Sequence, residues 1–288
     1  MTCTGLQAAN IQVSGNAISV EETNVKELID SARWGDRQAY LHLADCYRNG
    51  TGVKKDFLCF YAMVKQALSF KVITSIKEYA QTLPKNDTFR TMLEISDATN
   101  DILREKKDSL DRILTEMDTP DSYAFRAIIA ITINDEDTAL KLLRTASEKG
   151  SNVAGLILAA SGLKEPTISV IPKFEMLCKE TPVTYRMLAN IYIKKGDKKQ
   201  AAIYLMKSEE HAMISKKNAK WLLEYDKSGG EIKLTENDRQ RLKAFVGATG
   251  EEFGEEYTLN LIAIKKKYER HKTAISCSYT ANLYMWHS

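Results

Sequence analysis

Proline and glycine are scarce in this 288-residue sequence, with 5 and 14 copies. Both residues break helix interiors, so their scarcity leaves long stretches free to be helical. Alternating runs of Val, Ile and Thr, the mark of strands, are nearly missing too. The nearest is Thr167 to Ile171, bracketed by Pro166 and Pro172. Cysteine is sparse and irregular: Cys3, Cys46, Cys59, Cys178 and Cys277 make an odd count without a CxxC pair. That spacing argues against a zinc site or a disulfide framework. Cys46 and Cys59 flank an expected helix–helix turn, which leaves a bridge open, but two free thiols are the preferred reading.

An excess of charge of one sign is also lacking. The 41 Lys and Arg face 38 Asp and Glu, a net of +3 with the signs interleaved. Such a balance does not build the one-sided basic surface that phosphate backbones need, so no nucleic-acid partner is expected. The densest basic stretch, Lys265 to Lys267 with Arg270, His271 and Lys272, follows Glu251, Glu252, Glu255 and Glu256. Acids first and bases last suit the dipole of a solvated helix. No run approaches the ~20 apolar residues that span a bilayer. The first residues lack the charged and apolar regions of a signal peptide, so the cytoplasm is the expected compartment. Leu6, Gln7 and Ala8 before Ala9 look like the end of a cleavage site. A start upstream of Met1 would make export, to a periplasm or the exterior, the alternative.

Motifs that carry chemistry are missing as well. There is no HExxH, no GxSxG elbow, no phosphate loop ending in Gly-Lys-Ser or Gly-Lys-Thr, and no GxGxxG. Gly50-Thr51-Gly52 follows an expected helix rather than a strand and reads as a turn. The four histidines, His42, His211, His271 and His287, stand in no metal spacing. His42, beside Leu43 on a first helix, should face solvent or a partner, and His211 after Glu209 and Glu210 reads as a charged helix end. No catalytic residue, metal or cofactor is expected.

What the sequence does contain is short amphipathic segments punctuated by turns. Residues 1 to 22 read as a flexible leader, 23 to 270 as a helical-repeat domain, and 271 to 288 as a tail or cap carrying Tyr279, Tyr284, Met285 and Trp286. Asn24 with Glu27 offers a capping box. Turn signals then recur, among them Asn49-Gly50-Thr51-Gly52, Pro84 to Asp87, Thr119-Pro120, Asn134-Asp135, Gly150-Ser151, Glu165-Pro166, Thr181-Pro182, Gly196-Asp197 and Ser228 to Gly230. Helices this short are marginal alone and must pack side by side. The expected fold is therefore all-α, an α/α superhelix of stacked antiparallel helix hairpins.

One unit has a fixed order of residues. Ala39, Leu43 and Tyr47 lie four apart on one face of a first helix. Ala44 is small and lets a second helix approach. Gly50 and Gly52 can take positive φ for the reversal. Val53 tucks under the turn and Asp56 caps a second helix that presents Phe60, Met63, Val64 and Ala67. With Gly35 before it, this segment, Gly35 to Ala67, resembles a Sel-one-like repeat of the tetratricopeptide-type superfamily. Ala44 stands where the family's commoner residue is Gly, Met63 where an aromatic is usual, and Phe60 where a small Ala is usual. Gly150, Ala154, Leu158 and Ala159 repeat the early spacing without the Gly-x-Gly turn. Tyr185, Leu188, Ala189, Tyr192, Gly196, Ala201 and Leu205 resemble a tetratricopeptide repeat, and Ala127, Ala139, Leu143 and Ala146 a poorer one.

The resemblance implies a scaffold or adaptor that binds a partner protein or peptide on a groove and breaks no bond. The alternative is an accessory subunit of an enzyme or secretion complex, and a small-molecule-binding hydrolase ranks last. First helices line the concave face in such coils. There Arg186, Asn190 and Lys194, at i, i+4 and i+8, resemble part of the family's clamp for a peptide carboxylate. An ordinary solvated face is the competing reading.

Overall fold

The computed structural model of the chain describes residues 25–161 and 170–248. The leader (residues 1 to 22), the expected cap Asn24, the turn at Glu165-Pro166, the expected helix over Glu251 to Lys272, and the aromatic tail lie outside the described residues. So do Cys3, Cys277, His271 and His287.

The described residues form an all-α superhelix of stacked antiparallel hairpins, without a strand. The helices are α1 (Val25–Arg33), α2 (Ala39–Asn49), α3 (Phe57–Ser69), α4 (Ile76–Thr82), α5 (Thr88–Asp97), α6 (Asn100–Glu105), α7 (Lys107–Met117) and α8 (Pro120–Thr132). They continue with α9 (Glu136–Glu148), α10 (Asn152–Ser161), α11 (Val170–Glu180), α12 (Thr184–Lys195), α13 (Lys198–Glu210), α14 (Lys216–Lys227) and α15 (Glu236–Ala248). Helices adjacent in sequence pack on one another, most extensively α2 on α3, α8 on α9 and α12 on α13.

The turn signals act through backbone donors that a helix start leaves orphaned. Asp56, Asp87, Thr119, Asp135, Asp197 and Ser215 each accept a hydrogen bond from a backbone N–H two or three residues on. Thr119 and Ser122 form a reciprocal capping box, with Pro120 in the first turn. Gly50 closes α2 in the left-handed region, at φ 77°, and its N–H donates to the Cys46 carbonyl. Pro172 sits in the first turn of α11, so the Val170-Ile171 end of the strand-like run is helical.

The Gly35-to-Ala67 unit is a hairpin of α2 and α3. Ala39, Leu43, Ala44, Tyr47, Phe60, Met63, Val64 and Ala67 are all buried in it, and Val53 packs against the same core. Buried pairs recur in the other units: Ala127 with Leu143, and Leu188 and Ala189 with Ala201 and Leu205. Ala154, Leu158 and Ala159 of α10 are buried in the same way. Between residues 70 and 118 α4 pairs with α5, but the sequential pairing lapses from α5 to α7, and α5, α6 and α7 each lie against α8.

Helix α3 is the hub. Ten of its 13 residues are buried, far more than one face of an amphipathic helix supplies. The Phe57 ring meets Phe89 of α5 at 5.5 Å and, edge-on, Phe125 of α8 at 5.1 Å. Phe60 packs on Tyr79 of α4 and on Phe89. The Cys59 thiol lies 3.3 Å from the Thr181 hydroxyl, and the Gln66 amide donates to the Ile214 carbonyl at 2.8 Å. Several other elements of the coil thus pack against this second repeat helix.

The winding also brings the first described helix onto the last. α1 touches α13 and α15 as well as α2. Phe70, just after α3, meets the Phe245 ring of α15 at 5.8 Å. Gly35, at φ 91°, lies so close to α15 that a Cβ there would sit 2.9 Å from that of Ala248.

Candidate functional site

Where the first hairpin meets α11 to α13, a cleft of about 500 Å³ opens. One wall is α1, through Val25, Ile29, Asp30 and Arg33. The floor is the repeat turn, with Gly52, Val53 and the buried Tyr47. The far wall is Lys179, Glu180 and Pro182, with Glu210 and His211 at the end of α13. The lining mixes apolar side chains with charged ones, a composition found at recognition sites.

The charges of the lining are partly spoken for. Lys54 pairs with Glu180 at 2.8 Å across the mouth, with both side chains more than half exposed. Such an exposed pair is worth little and opens readily. Asp56 is fixed: one oxygen accepts from the Cys59 N–H at 2.8 Å and the other from the Asn152 amide at 2.7 Å. Arg33 grips Glu209 with two parallel bonds, 2.9 and 2.8 Å, and also reaches Asp30 at 2.9 Å. Arg241 of α15 adds a third bond to Glu209, at 3.3 Å, and pairs with Asp238.

Glu209, Glu210 and His211, adjacent in sequence, do not form one charged helix end. Glu209 is 3% exposed, Glu210 faces solvent and His211 is half-buried. His211 ends a ladder of stacked rings that runs through Tyr185, Tyr204 and Tyr192, with spacings of 6.0, 6.3 and 5.5 Å. Lys207 lies over both Tyr185 and Tyr204, and the Tyr204 hydroxyl donates to Glu175 at 3.0 Å.

Burial holds the His211 imidazole below its ordinary pKa; Glu210 opposes the shift and Arg33 adds to it. A depressed basic group is neutral when folded and takes a proton more readily when unfolded. Its contribution to stability is therefore complete above the unfolded value of 6.5 and lost as pH falls through the lower folded value. The thermal midpoint of the wild-type chain should drop on acidification below that point. The drop should be shallower for His211→Gln, and scanning calorimetry across pH checks it.

The carboxylate-clamp strip does not line this cleft. Arg186 is 3% exposed, Asn190 is half-buried and Lys194 is exposed. Their face of α12 abuts the start of α14, where the Asn218 amide donates to the Asn190 carbonyl oxygen at 3.2 Å. The strip thus runs from interior to surface instead of forming one solvated face. Burial lowers the Lys194 pKa, and nearby Lys217 lowers it further. His42 faces solvent, as its position beside Leu43 predicts.

Among the described residues the cysteines are free and buried. Burial pushes the Cys59 thiol well up, with Asp56 adding to it, and raises Cys178 to about 11, so both stay protonated. Cys46 and Cys59 are unbridged. No group of three or more His, Cys, Asp or Glu among the described residues could hold a metal ion. No helix of the described residues is long and apolar enough to cross a membrane. A second hollow, about 580 Å³ and more open, lies between α5 and α7, with Arg90 and Glu94 on one side and Ile113 and Met117 on the other.

No known protein family matches this chain, and neither the curated proteins nor the solved structures contain a match to it.

Proposed function

We propose that the chain is a protein-interaction scaffold of the Sel-one-like kind, and that it binds a segment of a partner protein in the cleft between α1, the Gly52-Val53 turn and the α11–α13 seam. Its work is contact, and no covalent step is assigned to it. The observation that carries this reading is the composition and origin of the cleft. Its floor is built from the repeat's own turn, and it is crossed by a weak ion pair that a ligand can replace. Stacked hairpins hold these distant residues in place, which is how helical repeats present extended binding surfaces.

Val53→Glu places a charge on the cleft floor. The test is affinity capture from the native cell with three baits: the wild-type chain, Val53→Glu, and Lys85→Glu in the hollow between α5 and α7. A partner held by wild type and Lys85→Glu but reduced roughly tenfold or more by Val53→Glu supports the reading, since central interface residues carry most binding energy. Equal capture by all three, or none by the wild type, overturns it. Circular dichroism of each bait confirms that folding is unchanged.

A further inference from the structure

Helix α1 is held more by charge than by apolar burial. Of its nine residues only Val25 and Ala32 are buried, with Leu28 and Ile29 half-covered against the core. Helix α3, by contrast, has ten buried residues. The stronger attachments of α1 gather at its C-terminal end. The Tyr40 hydroxyl donates to the Ala32 carbonyl at 3.0 Å, and Arg33 forks onto Glu209. Beyond them the chain turns through Gly35, whose left-handed backbone rests against Ala248. Helix, fork and glycine together have the layout of a strap with a latch and a hinge.

We propose that α1 is a displaceable strap, occupying in cis a seat that also accepts an amphipathic helix from the partner. The chemistry of that helix is read from the occupant now seated. Apolar residues spaced as Val25, Leu28, Ile29 and Ala32 face the seat, and an arginine in the last turn meets Glu209. The seat offers Tyr40 and Tyr47 as apolar ground and Glu209 as a buried anion at its end. Three features favour exchange. Segments with little buried apolar surface open at a small fraction of the global unfolding free energy. A bidentate arginine–carboxylate pair can be remade by any helix that brings a guanidinium to the same place. The cleft and the seat share α1 as a wall, so lifting α1 widens one into the other. The inference rests on the cleft being the partner site, but its first test needs no partner.

That test is hydrogen exchange on the full chain. Amides of α1 should exchange roughly a hundredfold faster than those of α3 in the wild type. Glu209→Gln, and separately Gly35→Ala, which strains the hinge without touching the latch, should each speed α1 roughly tenfold more than they speed α8 and α9. The second test uses a fluorescent peptide of residues 24–37 added to full-length protein. It should bind Arg33→Ala, whose own strap is loosened, roughly tenfold or more tighter than wild type, and lose that gain when Glu209→Gln is added. Exchange in α1 as slow as in α3 overturns the proposal. So does a peptide that fails to distinguish Arg33→Ala from wild type, or variants that speed every helix alike. If the strap fails these tests while Val53→Glu still weakens partner capture, the scaffold reading stands without it.

Discussion

Phe57→Ala should destabilise the protein by about 3–5 kcal/mol, the cost of emptying a large aromatic site in a close-packed core. The ring is 1% exposed and meets Phe60, Tyr61, Phe89 and Phe125. Those neighbours belong to α3, α5 and α8, so the cavity cannot collapse by moving one side chain. Chemical denaturation with circular dichroism measures the loss. A second outcome is expected from the same curve. In an ordinary repeat array each unit touches only its neighbours, and damage to one unit uncouples it from the rest. Here the damaged ring sits at a hub, so the variant should still unfold in one transition with its midpoint lowered. A stepwise curve, or a loss under 1 kcal/mol, would show that α3 does not join the layers in solution.

Glu209→Ala should cost a similar amount, about 3–5 kcal/mol, for an electrostatic reason. The carboxylate is 4% exposed and answers both Arg33 and Arg241. Removing it leaves two guanidinium groups facing each other at the join of α1, α13 and α15, each retaining only a local acid, Asp30 and Asp238. A change that removes all three charges with apolar groups of similar size, Glu209→Leu with Arg33→Met and Arg241→Met, should recover most of that loss, because desolvating the ions offsets much of their attraction. Thermal melts of the single and triple variants decide this. A Glu209→Ala protein as stable as wild type would mean that the first and last described helices do not depend on this charge to meet.

The hairpins were legible because helical periodicity is local. Leu43, Tyr47 and Ala67 could be placed in a core from spacing alone, and Asp56 and Asp197 act as the caps that their positions before apolar runs imply. The hub left one sign in the sequence: no charged residue occurs from Phe57 to Val64, and a helix apolar on all sides is buried on all sides. An open-groove expectation passes over that sign, since it gives each helix one covered face. The cleft left none. Its parts come from residues 25–33, 47–56, 179–182 and 210–211, and nothing in their local patterns says that they meet. Arg186 shows the opposite limit. Its spacing with Asn190 and Lys194 marks a face but not its depth, and the start of α14 determines how deep that face lies.

The position of α3 also sets a timetable for biosynthesis. Gln66 and its carbonyl partner Ile214 are 148 residues apart. At about 5–20 residues per second of translation, the second helix of the first repeat unit leaves the ribosome roughly 7–30 s before that part of its cover exists. Through that interval the run from Phe57 to Val64 is a sticky, uncharged surface on a nascent chain. The protein is therefore expected to depend on holding chaperones at the ribosome, and to aggregate when its synthesis is stalled between the codons for α3 and α13.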